Sequence, residues 1–191
     1  LPIRGRVWFR NAFFLPVVMP LVVAGTIWKM LLADEGLVNK LVGPVGLAHG
    51  WLTDPNTALL GIVIASVWQG FGFETVVFLS ALQSIPADLY EAAECDGANT
   101  WHRFWAVTLP ALRPTLVFVF VVGIIGAFQC YDQVIVMTQG GPMNSSQTIV
   151  ALLVQRFHEL KLGPASAIAY LLVAILVVLS VVQMRLGRER A

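Results

Sequence analysis

Residues 165–184 read ASAIAYLLVAILVVLSVVQM, a run of 20 positions without a charged side chain. A helix needs about 20 apolar residues to cross a membrane, because the hydrocarbon layer is about 30 Å thick and each residue advances the helix by about 1.5 Å. Similar stretches at 12–32, 58–82 and 115–137 predict three more spans. A buried core helix is the alternative for any one stretch. Four together predict an all-α membrane protein, a polytopic helical bundle that forms one domain over residues 1–191.

The composition points to the same class. Hydrophobic residues make up 58% of the chain and charged residues 12%, and the mean hydropathy is +0.78. A net charge of +1 with scattered basic residues argues against nucleic acid as a partner. Cys95 and Cys130 have no CxxC spacing and no nearby histidine pair, which predicts free thiols and no metal site. We expect this chain to bind no cofactor.

The positions of lysine and arginine predict the orientation of the spans, because cytoplasmic loops retain these residues. Eight arginines lie before the first span, between the second and third, or after the fourth: Arg4, Arg6, Arg10, Arg103, Arg113, Arg185, Arg188 and Arg190. The other side holds Lys29, Lys40, Arg156 and Lys161. We therefore expect both ends of the chain and the middle loop to face the cytoplasm.

Two segments, at about 33–57 and 138–164, are then expected outside the membrane. In the second, the turn signal Gln139-Gly-Gly-Pro142 is followed by apolar residues at helical spacing. This pattern predicts a short helix within Ser145–Glu159, at the outer membrane surface.

The middle loop, residues 84–114, reads SIPADLYEAAECDGANTWHRFWAVTLPALRP. It predicts two short helices with a hinge between them. Pro86 suits the first turn of one helix, and Gly97 suits its end, because glycine accepts the left-handed backbone found there. A second helix is predicted to start near Thr100, and two prolines, Pro110 and Pro114, are predicted to close the loop and return the chain to the membrane.

This loop resembles the EAA loop of ATP-binding-cassette importer permeases. The matching positions are Glu91, Ala92, Ala93, Asp96, Gly97, Ala98, Phe104, Leu109, Pro110 and Pro114. The resemblance implies a cytoplasmic coupling helix that sits in a cleft of an ATPase subunit and converts nucleotide-driven closure into motion of the membrane helices. The chain has no GxxxxGK[ST] sequence, which fits a subunit that recruits an ATPase and is not itself an enzyme.

Flanking passages resemble the carbohydrate branch of these permeases, of the maltose and glycerol-3-phosphate first-subunit type. They are FFLPV at 13–17, VFLSALQSIP at 77–86, GAFQCYDQ at 126–133 and VMTQGGPMN at 136–144. The resemblance implies import of a sugar, an oligosaccharide, a polyol or a polyol phosphate. It also implies a second homologous permease, two ATPase subunits and an extracytoplasmic substrate-binding protein as partners. Such permeases usually have six or more spans, so one or two helices are expected before Leu1.

Polar side chains inside spans usually face a partner helix or a water-filled path. Gln129, Asp132 and Gln133 are spaced i, i+3 and i+4, which predicts one shared face on the third span, and Gln69 lies at similar depth on the second. One interpretation is hydrogen bonding to a polyhydroxylated cargo, and the other is helix packing through amides. Aromatic rings that could cover a sugar are those of Phe71, Phe73, Phe128 and Tyr131.

Glu74 departs from the family pattern, because it puts a charge where a neutral residue is expected. It shares a small-residue seam with Ser66, Gly70, Val77 and Ala81, which favours a pairing across a helix contact, with the spans expected before Leu1 or the partner permease as candidates for the other side. An alternative is a secondary transporter in which Glu74 and Asp132 carry protons or sodium, but that alternative leaves the middle loop unexplained. A membrane-embedded enzyme is also disfavoured, because all three histidines fall in loops: His49, His102 and His158.

Overall fold

The structure is a computed structural model that describes residues 6–188, with side chains described for residues 12–185. The described residues form ten α-helices and no strand, which confirms the all-α class. The helices are α1 (Arg6–Val18), α2 (Leu21–Leu31), α3 (Leu37–Val42), α4 (Ala58–Gln83), α5 (Ala87–Cys95), α6 (Thr100–Arg103), α7 (Leu109–Phe128), α8 (Asp132–Met137), α9 (Ile149–His158) and α10 (Leu162–Arg188). Arg4 and Arg190, used in the orientation argument, lie outside the described residues, as do the side chains of Arg6, Arg10 and Arg188.

Within residues 6–188, three continuous helices are long and apolar enough to cross a membrane. They are Ala58–Gln83, Thr100–Phe128 and Leu162–Arg185. The first and last correspond to the predicted spans at 58–82 and 165–184. The middle one combines α6, a π-helical turn and α7 into a single helix, which we call the middle span helix.

The first predicted span, 12–32, is broken in the middle. Its halves, in α1 and α2, meet at an angle of 112°. If these two halves count as one span, residues 6–188 contain four candidate spans. Met19 and Pro20 lie between them. Pro20 has no backbone N–H and disfavours helical geometry at the residue before it, so the first helix ends ahead of Met19.

The prediction of a third span at 115–137 was wrong at both ends. The helix starts at Thr100, contains Pro110 and Pro114, and ends at Phe128. Neither proline closes a loop. The π-helical turn at Phe104–Thr108 precedes Pro110 and widens the helix where a proline ring would otherwise collide with the carbonyl group four residues earlier.

The buried core lies where α2, α4, α8 and α9 meet. Its members are Leu32, Ile62, Ala65, Val134, Met137 and Ala151, and the rings of Trp28 and Trp68 pack edge to face beside it at 5.8 Å. In contrast, only 6% of the apolar stretch of the middle span helix, and 6% of that of α10, is buried inside the protein. Those apolar surfaces require lipid or other protein chains around them.

The second outer segment contains the predicted turn and short helix. Gln139 and Gly140 have positive φ angles of 54° and 83°. The helix, α9, covers Ile149–His158, and the Thr148 hydroxyl caps it by accepting the backbone N–H of Ala151.

An ionic cluster holds the corner between α9 and α10. Lys161 and Arg156 donate hydrogen bonds to the Glu159 carboxylate at 2.8 and 2.9 Å. These two cations lower the pKa of Glu159 to about 2. The carboxylate therefore stays ionised, and the cluster stays paired, throughout the physiological pH range.

A single buried amide organises the first outer segment. The Asn39 side chain, 8% exposed, donates to the His49 carbonyl at 2.9 Å and accepts the indole N–H of Trp51 at 2.9 Å. It also donates to the Asp34 carbonyl at 3.2 Å. One side chain thus ties α3 to the loop that leads into α4.

We expect Asn39→Leu to destabilise the protein by about 1–3 kcal/mol, because the partly buried hydrogen bonds to the Trp51 N–H and the His49 carbonyl would be lost. The measurement is thermal unfolding of the detergent-purified protein, together with protease cleavage between α3 and α4. The matched control is Asn56→Leu in the same segment, where the side chain is exposed and bonds only to Asp54. Equal stability of the two variants would contradict the anchoring role of Asn39.

Candidate functional site

A cavity of about 540 Å³ lies between α4, the end of α7 and the start of α8. Its polar and charged wall residues are Ser66, Glu74, Gln129, Cys130, Tyr131, Asp132 and Gln133. Gly70, Gly123 and Gly126 also border it, and a Cβ atom at any of them would meet nothing within 4 Å. These glycines keep the space between α4 and α7 open.

The cavity exists because three residues separate the end of α7 from the start of α8. The polar residues predicted to share one helical face therefore belong to two elements. Gln129, Asp132 and Gln133 nevertheless all border the cavity. The break also frees backbone carbonyls, and the Thr148 hydroxyl donates to that of Cys130 at 2.6 Å.

A chain of hydrogen bonds, which we call the amide chain, connects this break to the one in the first span. Gln69 donates to the Met19 carbonyl at 2.9 Å, Gln133 donates to Gln69 at 3.0 Å, and Ser66 donates to Gln133 at 3.1 Å. Gln69 and Gln133 are only 6% and 7% exposed. Gln69, predicted as a candidate for the cargo path, bonds to the Met19 carbonyl at the helix break, and its side chain does not border the cavity.

Gln129 and Asp132 differ from these two buried amides. Gln129 is exposed and Asp132 half-buried, and both border the cavity. Neither side chain makes a hydrogen bond to another side chain within residues 12–185. Their hydrogen-bonding capacity is therefore directed into the cavity.

Glu74 also lies on the cavity wall and is exposed. Three members of the small-residue seam border the cavity: Ser66, Gly70 and Glu74. The Glu74 carboxylate has no hydrogen bond or ion pair with any residue whose side chain is described.

Of the four aromatic rings predicted near a cargo, that of Tyr131 borders the cavity. Phe71 packs edge-on against Phe13 at 5.5 Å, on the side of α4 that faces α1. Phe128 borders a separate, smaller hollow beside α9.

The second feature of the site is the exposed loop between α4 and α7. Its first helix, α5, follows Pro86 and contains no buried residue. Gly97 has a φ of +78° and ends the helix, and the Asn99 side chain caps α6 by accepting the His102 N–H at 2.9 Å. The predicted pair of helices with a glycine hinge is thus present, with Pro86 just before the first turn.

Two side-chain contacts fix the angle at this hinge. The hydroxyl groups of Tyr90 and Thr108 are hydrogen-bonded at 2.9 Å, and Arg103 pairs with Glu94. Because both contacts join α5 to the start of the middle span helix, α5 and that helix are connected as one body.

An apolar patch lies on this loop. The rings of three residues pack against one another with centroids 5.6 to 6.0 Å apart: Trp101, Phe104 and Trp105. Their exposed fractions are 66%, 41% and 52%, in that order. Leu89 on α5 is 49% exposed. Large exposed apolar side chains grouped in this way are typical of a surface that another protein or a lipid covers.

The structure brings together no metal site among its described residues, since no three His, Cys, Asp or Glu side chains are suitably grouped there. Cys95 and Cys130 are free thiols, as predicted.

Apolar spans around a polar cavity, joined to an exposed helical loop, define a helical membrane permease. Within that class, the chain belongs to the family described as the binding-protein-dependent transport system inner membrane component, which matches residues 2–189. The membership confirms the resemblance seen in the middle loop. It sets aside the secondary transporter and the membrane-embedded enzyme.

The curated relatives include several sugar permeases. A lactose transport system permease protein of Rhizobium radiobacter is 37% identical, with 95% of this chain and 63% of the relative covered. An arabinooligosaccharides transport system permease protein of Halalkalibacterium halodurans is 33% identical, with 96% and 60% covered. A trehalose/maltose transport system permease protein of Thermococcus litoralis is 34% identical, with 98% and 64% covered. The chain thus spans slightly less than two thirds of the length of these relatives.

Two solved structures share the fold. One is a bacterial ABC transporter involved in the import of the acidic polysaccharide alginate, with a TM-score of 0.87, 22% identity, and 99% of this chain and 68% of that chain covered. The other is a bacterial alginate ABC transporter in complex with an alginate pentasaccharide-bound periplasmic protein, with a TM-score of 0.85, 23% identity, and 99% and 67% covered. This likeness establishes the importer-permease fold.

We expect Gln69→Leu to lower stability by about 1–3 kcal/mol, because the Met19 carbonyl and the Gln133 amide would lose buried partners. The measurement is the thermal unfolding of the purified protein in detergent. The control is Gln83→Leu, an exposed glutamine at the other end of the same helix. Loss of uptake without loss of stability would instead return Gln69 to the cargo path.

Proposed function

We propose that this chain forms most of the membrane-spanning permease subunit of a binding-protein-dependent, ATP-driven importer. Its cargo is a sugar, an oligosaccharide or a polyol, and it works in the cytoplasmic membrane. The observation that carries the proposal is the exposed two-helix loop, which is joined directly to both helices that wall the polar cavity. The names of the curated relatives, which include lactose and trehalose/maltose permeases, support the carbohydrate class.

The loop is built to transmit force. Only three residues, 84–86, separate α4 from α5, and four, 96–99, separate α5 from the middle span helix. A displacement of α5 therefore acts on both α4 and α7, which form opposite walls of the cavity. The π-helical turn at Phe104–Thr108 offers a point where the middle span helix can bend.

An ATPase subunit is the partner that would displace α5. Small side chains on α5 and at the hinge allow a close approach, and the exposed aromatic patch adds apolar area. The residues proposed to couple this chain to the ATPase are Glu91, Ala92, Ala93, Asp96, Gly97, Ala98, Phe104, Leu109 and Pro110. ATP hydrolysis then takes place on that separate subunit, and this chain binds no cofactor of its own.

The cavity is proposed as the cargo path. Its volume of about 540 Å³ is typical of small-molecule sites. Gln129 and Asp132 would hydrogen-bond sugar hydroxyl groups, with the ring of Tyr131 beside them. Gln133, which is bonded to Gln69 and Ser66, would contribute mainly by holding α8 in position.

The remaining partners follow from the same proposal. A second homologous permease, two ATPase subunits, an extracytoplasmic substrate-binding protein and the lipid bilayer would surround this chain. The charge asymmetry supports a cytoplasmic location for the coupling loop and for both ends of the chain. The Asn39-anchored segment and α9 would then face the binding protein outside.

The test uses Gly97→Val in the assembly purified through a tag on this protein. A branched side chain in the left-handed backbone costs at least about 1–2 kcal/mol, so we expect about tenfold less captured ATPase and a matching loss of ATP-dependent uptake. Uptake into proteoliposomes is measured with proton and sodium gradients collapsed. Uptake that requires such a gradient, and no captured ATPase, would contradict the importer function.

Gly97→Asn is the matched control for this variant. Asparagine also adds a side chain where a Cβ meets nothing within 4 Å, but it tolerates the left-handed backbone. We expect it to keep most of the captured ATPase. Equal loss in both variants would mean that side-chain volume, not hinge geometry, limits docking.

For the cargo path, we expect Gln129→Leu to raise the KM of uptake about two- to tenfold, because one hydrogen bond to the cargo is lost. The amount of captured ATPase is expected to stay the same. Gln183→Leu on α10, which does not border the cavity, is the control. Unchanged uptake kinetics would assign Gln129 to packing.

A further inference from the structure

The charge of the cavity wall is one-sided. Two carboxylates border it, Glu74 from α4 and Asp132 from α8, and no lysine, arginine or histidine does so within the described part of the chain. The other wall groups are uncharged amides, hydroxyl groups, a thiol and apolar carbons. A molecule that enters this space therefore meets negative charge that the described wall does not balance.

Glu74 occupies a junction between two spaces. Besides the polar cavity, it borders an apolar hollow of about 310 Å³ that continues between α4 and α7. Phe78 and Leu116, which line this hollow, lie on the part of α4 and α7 nearer the coupling loop. Glu74 is thus the charged group at the boundary between the polar cavity and the apolar hollow.

The wall near Glu74 is open. Gly123 borders both spaces together with Glu74, and Gly70 and Gly126 border the polar cavity. A Cβ at any of these glycines would meet no atom within 4 Å. A cargo can therefore approach the carboxylate directly, without bulky side chains in between.

We propose that Glu74 is a specificity-determining residue that makes this cavity reject anionic saccharides and accept neutral or amine-bearing ones. The inference rests on the proposed cargo function of the cavity. A carboxylate accepts strong hydrogen bonds from sugar hydroxyl and ammonium groups. It weakens the binding of a uronate or a sugar phosphate whose negative charge lies about 4 Å away. The binding constant falls by a factor of about five even in water, and by more where water is excluded.

A neutral or amine-bearing cargo differs from the acidic cargo named for one solved structure with the same fold. The solved neighbour involved in import of the acidic polysaccharide alginate is 22% identical, and a likeness at that level concerns the backbone. The charge on the wall opposes an acidic cargo here. It also removes the polyol phosphate from the classes implied by the family resemblance.

The first experiment measures the electrostatic potential of the cavity without any cargo. Gly126→Cys is introduced into a Cys95→Ser, Cys130→Ser background, and the purified assembly is placed in lipid nanodiscs. The thiol is treated with a cationic trimethylammonium-ethyl methanethiosulfonate or an anionic sulfonatoethyl methanethiosulfonate. The quantity measured is the rate of thiol modification by the cationic reagent divided by the rate for the anionic reagent. We expect this ratio to exceed that of a free thiol at least about fivefold, and to fall about fivefold when Glu74→Gln is added.

The second experiment measures binding of three matched sugars, glucose, glucosamine and glucuronate, to the same assembly by saturation-transfer NMR. In the natural sequence we expect glucosamine and glucose to bind and glucuronate to bind at least about fivefold more weakly. Glu74→Gln should raise the ratio of glucuronate to glucose binding by a similar factor. Glu35→Gln, which changes the net charge equally but lies in the first outer segment, should leave both ratios unchanged.

The outcomes separate the two proposals. Equal binding of glucuronate and glucose to the natural sequence overturns the selectivity role, whether or not the Glu74 variant folds. An unchanged reagent ratio in Glu74→Gln, or an equal change in Glu35→Gln, also overturns it. Absence of binding by all three sugars, with the reagent ratios as expected, counts against the cavity as the cargo path and leaves its electrostatic character intact.

Discussion

The amide chain from the Met19 carbonyl through Gln69 and Gln133 to Ser66 is the interaction on which the rest of the structure depends. Away from water, a backbone carbonyl freed by a helix break must find a partner inside the protein. The Met19 carbonyl finds Gln69 on α4, and the Cys130 carbonyl finds Thr148 at the start of α9. Gln69 and Gln133 hold the broken first span and the start of α8 against α4, and the cavity lies between α4, the end of α7 and the start of α8.

This arrangement gives α4 two roles. Toward α1 and α8 it is a packed helix, with Gly72 so close to the Phe13 carbonyl that a Cβ would lie 2.1 Å from it. Toward α7 it is an open wall with Gly70 and Glu74. Because α4 also leads into the loop at 84–99, it connects that loop directly to the cavity wall.

Similarity to known proteins extends to the family and the backbone fold of this chain, but not to every side chain of the cavity. The family and the backbone fold are established over nearly the whole chain. The charge of the cavity depends on single side chains, above all Glu74, and similarity of the backbone does not carry it over. The shared fold therefore carries no information on the charge of the wall residues in this chain.

The sequence by itself determined the helical class, most of the spans, and the hinge at Gly97, because hydrophobic runs and glycine turns are local properties of the chain. It also identified Gln129, Asp132 and Gln133 as a group, although the reason, one continuous helical face, was wrong. Only the tertiary structure decided that Gln69 bonds to the Met19 carbonyl and that Glu74 faces open space. Those outcomes depend on where a distant helix breaks and on which helices pack beside α4. The local pattern of residues determines neither.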